Sequence, residues 1–184
     1  AIIGMGCLFP RASGLNEYWR LLFRGDDGIC EVPQSHWSAE DYFDPDSRKP
    51  DHVYCKRGGF ISPVSFDPTE FGIPPNSLEA TDTSQLLALT AACMALEDAG
   101  YGKNKSFDRD GVSVILGATG TQELVIPLGA RLGHPKWRKA LISAGIPEEK
   151  TEEIINGISD SYVSWQENSF PGLLGNVIAG RISN

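Results

Sequence analysis

The chain opens on an apolar run, Ala1 to Leu8 (AIIGMGCL), closed by Phe9-Pro10, which predicts a buried strand. Leu15 to Phe23 follows with Tyr18, Trp19, Leu22 and Phe23 at helical spacing and Gly25 behind them, a short amphipathic helix. Asp26 to Phe43 carries turn residues and scattered aromatics, and Asp44 to Asp51 (DPDSRKPD) reads as a polar surface loop. Gly58-Gly59 inside Tyr54 to Pro63 marks a loop or short hairpin with close backbone packing. Phe66 to Pro75 is turn-rich, its aromatics expected to anchor it to a core. Asp82 or Thr83 then caps a long helix reaching about Ala99, stopped by Gly100. Leu86, Leu89, Cys93 and Leu96 form one stripe of that helix, and Leu87, Ala91 and Met94 a second. Apolar stripes on more than one face predict a helix buried between layers.

Gly111 to Gly117 (GVSVILG) is a β-branched run and predicts a central strand, left through the small residues Ala118-Thr119-Gly120-Thr121. Strand, long helix, strand is an α/β pattern, and the loop beyond the strand's carboxyl end is a natural ligand position. Leu128 to Ala144 predicts a helix with Arg131, Lys136, Arg138 and Lys139 on it. Pro147 starts a further helix to about Ser164, with Glu148 and Glu149 where the helix dipole favours acids. Pro171 opens a last helix thinned by Gly172, Gly175, Ala179 and Gly180. The chain starts inside an apolar run and stops at Gly180 to Asn184 without closing signals, so it reads as a piece of a larger protein.

At 184 residues the chain is long enough for one domain with its own core. Its net charge of -8 argues against a nucleic-acid surface, and no apolar run reaches the length of a membrane span. Cys7, Cys30, Cys55 and Cys93 show no pairing pattern and read as reduced thiols of a cytoplasmic protein.

Candidate chemistry is sparse. Gly4-Met5-Gly6 opens like a dinucleotide-binding turn, but Phe9 stands at the third glycine position; a tight strand exit explains it better. Cys30, His36, His52 and Cys55 do not have a zinc-site spacing and read as loop residues. Cys55 precedes Lys56-Arg57, which would favour a thiolate, but it lacks the strand-turn-helix elbow that exposes a nucleophile; Cys7 lacks it too. His134, before Pro135, reads as a surface residue. There is no phosphate-binding loop.

Four stretches, in order, resemble the N-terminal half of a β-ketoacyl synthase domain of the thiolase-like condensing enzymes. They are AIIGMGCLFP (1–10), FDPTEFGIP (66–74), TDTSQ (81–85) leading to ALEDAG (95–100), and NVIAGRIS (176–183). YCKRGGFI, FGIPPNSLEATDTSQLL, SWQENSFPGLLGNVIAGRISN and the insertion from Leu128 to Val163 resemble ketosynthases of iterative synthases that make polyunsaturated fatty acids, with heterocyst-glycolipid and enediyne-type synthases as near relatives. The resemblance covers residues 1–184 and implies an α/β chain, the N-terminal half of a layered αβαβα fold.

It also implies decarboxylative Claisen condensation of an acyl thioester with malonyl carried on the phosphopantetheine of an acyl carrier protein. No cofactor is bound directly, and a homodimer is implied. The nucleophilic cysteine and two histidines of the family match none of Cys7, Cys30, Cys55, Cys93, His36, His52 or His134, and are expected beyond Asn184. The implied substrate-binding residues are Thr119 and Gly120, in the loop lining the acyl pocket, and Ser169 and Phe170, in a segment that reaches a partner's pocket. Phe170 could equally be a hydrophobic staple before Pro171. The basic residues Arg131, Lys136, Arg138 and Lys139 are candidates for docking an acidic carrier protein. A chain-length-factor-like partner of the same fold, without the nucleophile, is the alternative.

Overall fold

The computed structural model describes residues 1–102, 105–119 and 123–184. They form two compact units, Ala1–Ser65 with Ala91–Phe107, and Phe66–Thr90 with Asp108–Asn184. One long helix, α3 (Thr83–Asp98), contributes its first turns to the second unit and its last turns to the first.

The first unit contains α1 (Leu15–Arg24), β1 (Ile29–Glu31), α2 (Ala39–Tyr42) and β2 (Arg57–Gly59). α1 forms as its periodicity predicts and ends at Gly25, whose φ of 68° lets its N–H cap the carbonyls of Leu21 and Leu22. Tyr18 stacks on Phe9 at 4.3 Å, while Trp19, Leu22 and Phe23 stay exposed. β1 and β2 pair antiparallel, with Ile29 opposite Gly59 and Glu31 opposite Arg57. A side chain on Gly59 would strike the Pro10 ring, 2.8 Å from where its Cβ would stand. The Gly58-Gly59 segment is thus a strand whose partner lies far back in the sequence, and its two glycines do not turn a hairpin of their own.

The expected strand over Ala1 to Leu8 does not form. Strand structure needs a hydrogen-bonded neighbour, and this segment is anchored instead by the Met5 N–H, which donates to Asp98 Oδ2 at 2.9 Å. Its glycines serve another purpose than a tight exit. A Cβ at Gly6 would meet the Ala91 carbonyl oxygen at 2.6 Å, and one at Gly4 would run into Ala95 and Ala99, so this segment lies directly on the alanine face of α3. The expected central strand over Gly111 to Gly117 is absent for the same reason. Its β-branched residues find no ladder among the described residues, and Ile115 is 94% exposed.

The second unit begins with two 3-10 helices, Pro68–Phe71 and Pro75–Ala80. Asp67 caps the first by accepting from the Thr69 N–H at 2.9 Å, and Phe66 stacks on Phe71 at 4.9 Å, both rings half-buried, so the aromatics pair within the loop. Only Gln85 and Leu89 of α3 are buried; most of its other apolar residues are half-buried and Leu96 is exposed, so the helix is less enclosed than its two stripes predict.

The region expected as one helix from Leu128 breaks into α4 (Val125–Ala130), a 3-10 turn (Arg131–Gly133) and α5 (His134–Ser143). Gly129, Gly133 and Pro135 weaken the continuous ladder there. α6 (Glu148–Asp160) starts after Pro147 and buries Thr151 and Ile155, one turn apart. α5 and α6 pack as a pair, tied by Arg138 and Glu152 through contacts of 2.5 and 2.9 Å.

The last helix is two: α7 (Ser169–Gly172), a single turn containing Pro171, and α8 (Val177–Ser183). At the break the Leu174 N–H donates to Pro171 O at 3.3 Å and the Val177 N–H to Leu174 O at 3.1 Å, and the carbonyls of Pro171, Gly172 and Leu174 also accept from a side chain of α3.

Candidate functional site

The densest polar construction in the second unit surrounds the start of α3. Asp82, nearly fully buried, caps the helix: its Oδ1 accepts from the Ser84 N–H at 3.0 Å and from the Ser84 hydroxyl at 2.6 Å. Its other oxygen accepts from the Leu124 N–H at 3.2 Å, and its own N–H donates to the Gly172 carbonyl at 3.0 Å. Gln85 is completely buried. Its amide nitrogen donates to Pro171 O at 2.9 Å and Gly172 O at 2.8 Å, with Leu174 O at 3.4 Å, and its Oε1 accepts from Arg181 Nε.

Gly172 completes this junction. A Cβ on it would land on the carbonyl oxygen of Ala80, so backbone presses on backbone. Asn168 adds a tie, its Nδ2 donating to Ser77 Oγ at 2.7 Å. A cavity of about 190 Å³ opens beside these groups, with Ser77, Asn168, Arg181 and Asn184 among its walls.

The sequence-expected site residues divide. Ser169 is fully buried, and its Oγ accepts from the Gln166 N–H at 2.9 Å; its visible work is to close the turn that begins α7. Phe170 is next to it and 59% exposed, inside α7 rather than ahead of a helix, so it does not form the hydrophobic staple. Thr119 is exposed and makes no hydrogen bond to Ser169 or Phe170 among the described residues. Gly120 lies outside the described residues.

Gln85 and Arg181 are functional candidates that sequence reasoning misses. The available signal is Asp82-x-x-Gln85, a capping-box spacing. It correctly marks the cap but points Gln85 back at its own helix, whereas the side chain reaches residues 86 to 96 positions away.

The weaker candidates are occupied elsewhere. The Cys55 thiol donates to the Arg57 carbonyl at 3.5 Å; Lys56 pairs with Glu31 at 3.3 Å, and Arg57 Nη2 donates to Ile29 O at 3.4 Å. His52 Nδ1 lies 2.9 Å from Pro50 O, and His36 packs edge-on against Phe60. Among the described residues no three His, Cys, Asp or Glu side chains converge as metal ligands, and no disulfide joins the cysteines.

Of the four basic residues, Arg131 turns inward, donating to Ser159 Oγ at 2.8 Å and to the carbonyls of Ser159, Tyr162 and Val163. Arg138 is bound to Glu152, which holds the Glu152 carboxyl below its ordinary range and raises the guanidinium. Lys136 and Lys139 remain exposed. The expected basic docking patch is therefore half its apparent size, because two of its members bind their own unit.

Similarity to known proteins bears on what this junction supports. Residues 1–184 match the family described as "Beta-ketoacyl synthase, N-terminal domain". The chain is 34% identical over 184 residues to one of the subunits of the polyunsaturated fatty acid synthase of Thraustochytrium sp., covering all of this chain and 6% of that protein. Among solved structures, the ketosynthase domain OzmH KS7 of oxazolomycin biosynthesis from Streptomyces albus JA3453 is 35% identical, with a TM-score of 0.51 over 53% of this chain and 17% of that one. "PfaC Keto synthase-Chain length factor" is 25% identical, with a TM-score of 0.64 over 77% of this chain and 15% of that one. The chain thus spans a small part of the length of each relative. Its architecture is α/β, an N-terminal part of the thiolase-like layered αβαβα fold. From end to end, the chain belongs to the β-ketoacyl synthase N-terminal domain family.

Proposed function

We infer that the protein containing this chain is a β-ketoacyl-[acyl carrier protein] synthase acting in polyketide or polyunsaturated fatty acid biosynthesis. The observation that carries this reading is the family match over residues 1–184, with 34% identity over the same span to a polyunsaturated fatty acid synthase. The reaction joins an acyl group, held as a thioester on an enzyme cysteine, to malonyl held on the phosphopantetheine thiol of an acyl carrier protein. Malonyl loses carbon dioxide, and the resulting carbanion equivalent attacks the acyl carbonyl. The cysteine sulfur leaves and takes up one proton, and the β-ketoacyl group stays on the carrier.

In this reading the chain contributes support and pocket wall. Thr119, Gly120, Ser169 and Phe170 belong to the wall around the acyl group, Phe170 as an exposed ring and Ser169 as the buried residue that closes the turn before it. None of these 184 residues matches the family's nucleophile or its two histidines, and the chain by itself is expected to form no carbon–carbon bond. The working protein is a cytoplasmic homodimer that takes its substrates from acyl carrier protein and holds no cofactor of its own. Lys136 and Lys139 are the part of the basic set left to meet the carrier; reversing both charges in the full-length protein is expected to weaken carrier binding, and unchanged affinity removes them from that role.

A second reading is a chain-length-factor-like partner, which the likeness to the PfaC structure brings into view. Incubating the full-length protein with a labelled acyl thioester separates the two. The synthase reading expects label on a cysteine; a folded protein that dimerises and takes up none supports the partner reading.

A further inference from the structure

Among the described residues Gln85 is the largest of the completely buried side chains, and every group its amide is seen to bind lies on a distant stretch of the chain. We propose that Gln85 is a positioning residue for acyl-chain selection: it fixes α7, and so the exposed Phe170 ring, by gripping the carbonyls of Pro171 and Gly172 and the guanidinium of Arg181. The inference rests on the condensing-enzyme reading above.

The chemistry at this point demands a neutral amide. One glutamine head group donates to the carbonyls of Pro171 and Gly172, with Leu174 O at 3.4 Å, beside the backbone N–H groups they already accept, and its oxygen accepts from Arg181 Nε. A carboxylate would face carbonyl oxygens, and an apolar side chain would leave Arg181 Nε without its partner. Asp82 supplements the grip with its N–H on Gly172 O, and the Ala80 carbonyl abuts Gly172 from the other side. The backbone immediately after Phe170 is therefore pinned to the start of α3, whereas the ring itself projects outward. Replacing the amide removes one of the holds on this backbone, with the Asp82 N–H and the Ala80 contact remaining, and so loosens the ring's support. A wall that can give way discriminates less between acyl chains differing by a methylene or two, a difference that a firm apolar pocket turns into roughly 10- to 200-fold per methylene.

The test uses the full-length synthase and Gln85→Met, which keeps the side-chain volume. kcat/KM for enzyme acylation is measured with the longest acyl thioester the wild type accepts well and with one two carbons longer. The expected result is a ratio reduced at least about fivefold in the variant, with KM for the malonyl carrier unchanged. A Phe170→Ala background is expected to abolish that change, because the wall that Gln85 positions is gone. Equal loss for both chain lengths, or an unchanged ratio, overturns the positioning role and leaves Gln85 a structural residue. If Gln85→Met does not fold, Gln85→Asn, which keeps the amide but withdraws it by one methylene, is held to the same ratio. A wild-type protein that accepts no acyl group overturns the condensing reading itself; an acylated wild type with an unaltered variant ratio overturns the role of Gln85 alone.

Discussion

Single side chains, and single missing ones, carry sharply different weights in this chain. Gly172 has no room for a Cβ because the Ala80 carbonyl oxygen occupies the place, whereas Gly157, inside α6, has nothing within 4 Å of where its Cβ would be. Gly172→Ala is therefore expected to destabilise the full-length protein by about 1–3 kcal/mol or more through forced backbone movement. Gly157→Ala is expected to stabilise it by roughly 0.5–1 kcal/mol through helix propensity. Denaturant midpoints of the two variants check both; equal shifts would contradict this packing. At Glu152 the lowered carboxyl pKa sets a pH sign. The Arg138 contact adds stability above the ordinary carboxylate range, about 4.3, and loses it as pH falls through the lowered folded value. Glu152→Gln is expected to be less stable than wild type at neutral pH, the gap closing in acid. A gap that stays constant across a pH series of unfolding curves would rule this out.

At the scale of elements, helices are far more legible in the sequence than strands. α1, α3 and α6 can be read because helical periodicity and end signals are local: Gly25 caps α1, Asp82 begins α3, and the acids after Pro147 begin α6. Ala1 to Leu8 and Gly111 to Gly117 look like strands by composition, but a strand is a relation to a neighbour, and neither segment has its ladder among the described residues. The β1–β2 pair shows the converse, since only three residues on each side pair across a gap that no local pattern announces. The contacts at the break between α7 and α8 are hidden for the same cause: Gln85, 86 residues before Pro171, adds its amide to the carbonyls there. For α6, the burial of Ile155 at 2% exposed makes Ile155→Ala the expected weak point of that helix, costing about 2–5 kcal/mol. A change under about half a kcal/mol in the unfolding free energy would mean that α6 is not held by its buried face.

For the whole molecule, the family is legible from four ordered stretches, but the working site only partly so. Resemblance singles out Ser169 and Phe170 for the acyl pocket; geometry separates them into a buried residue that closes a turn and an exposed ring. Resemblance includes Gln85 in TDTSQ but gives it no role, because the worth of a glutamine depends on what reaches it in three dimensions. The condensing reading is tested most directly by incubating the full-length protein with an acyl thioester and malonyl-acyl carrier protein and following both carbon dioxide and carrier-bound product. One carbon dioxide released for each β-ketoacyl group formed is the predicted result. Absence of both products, or carbon dioxide released with no chain extension, would contradict it.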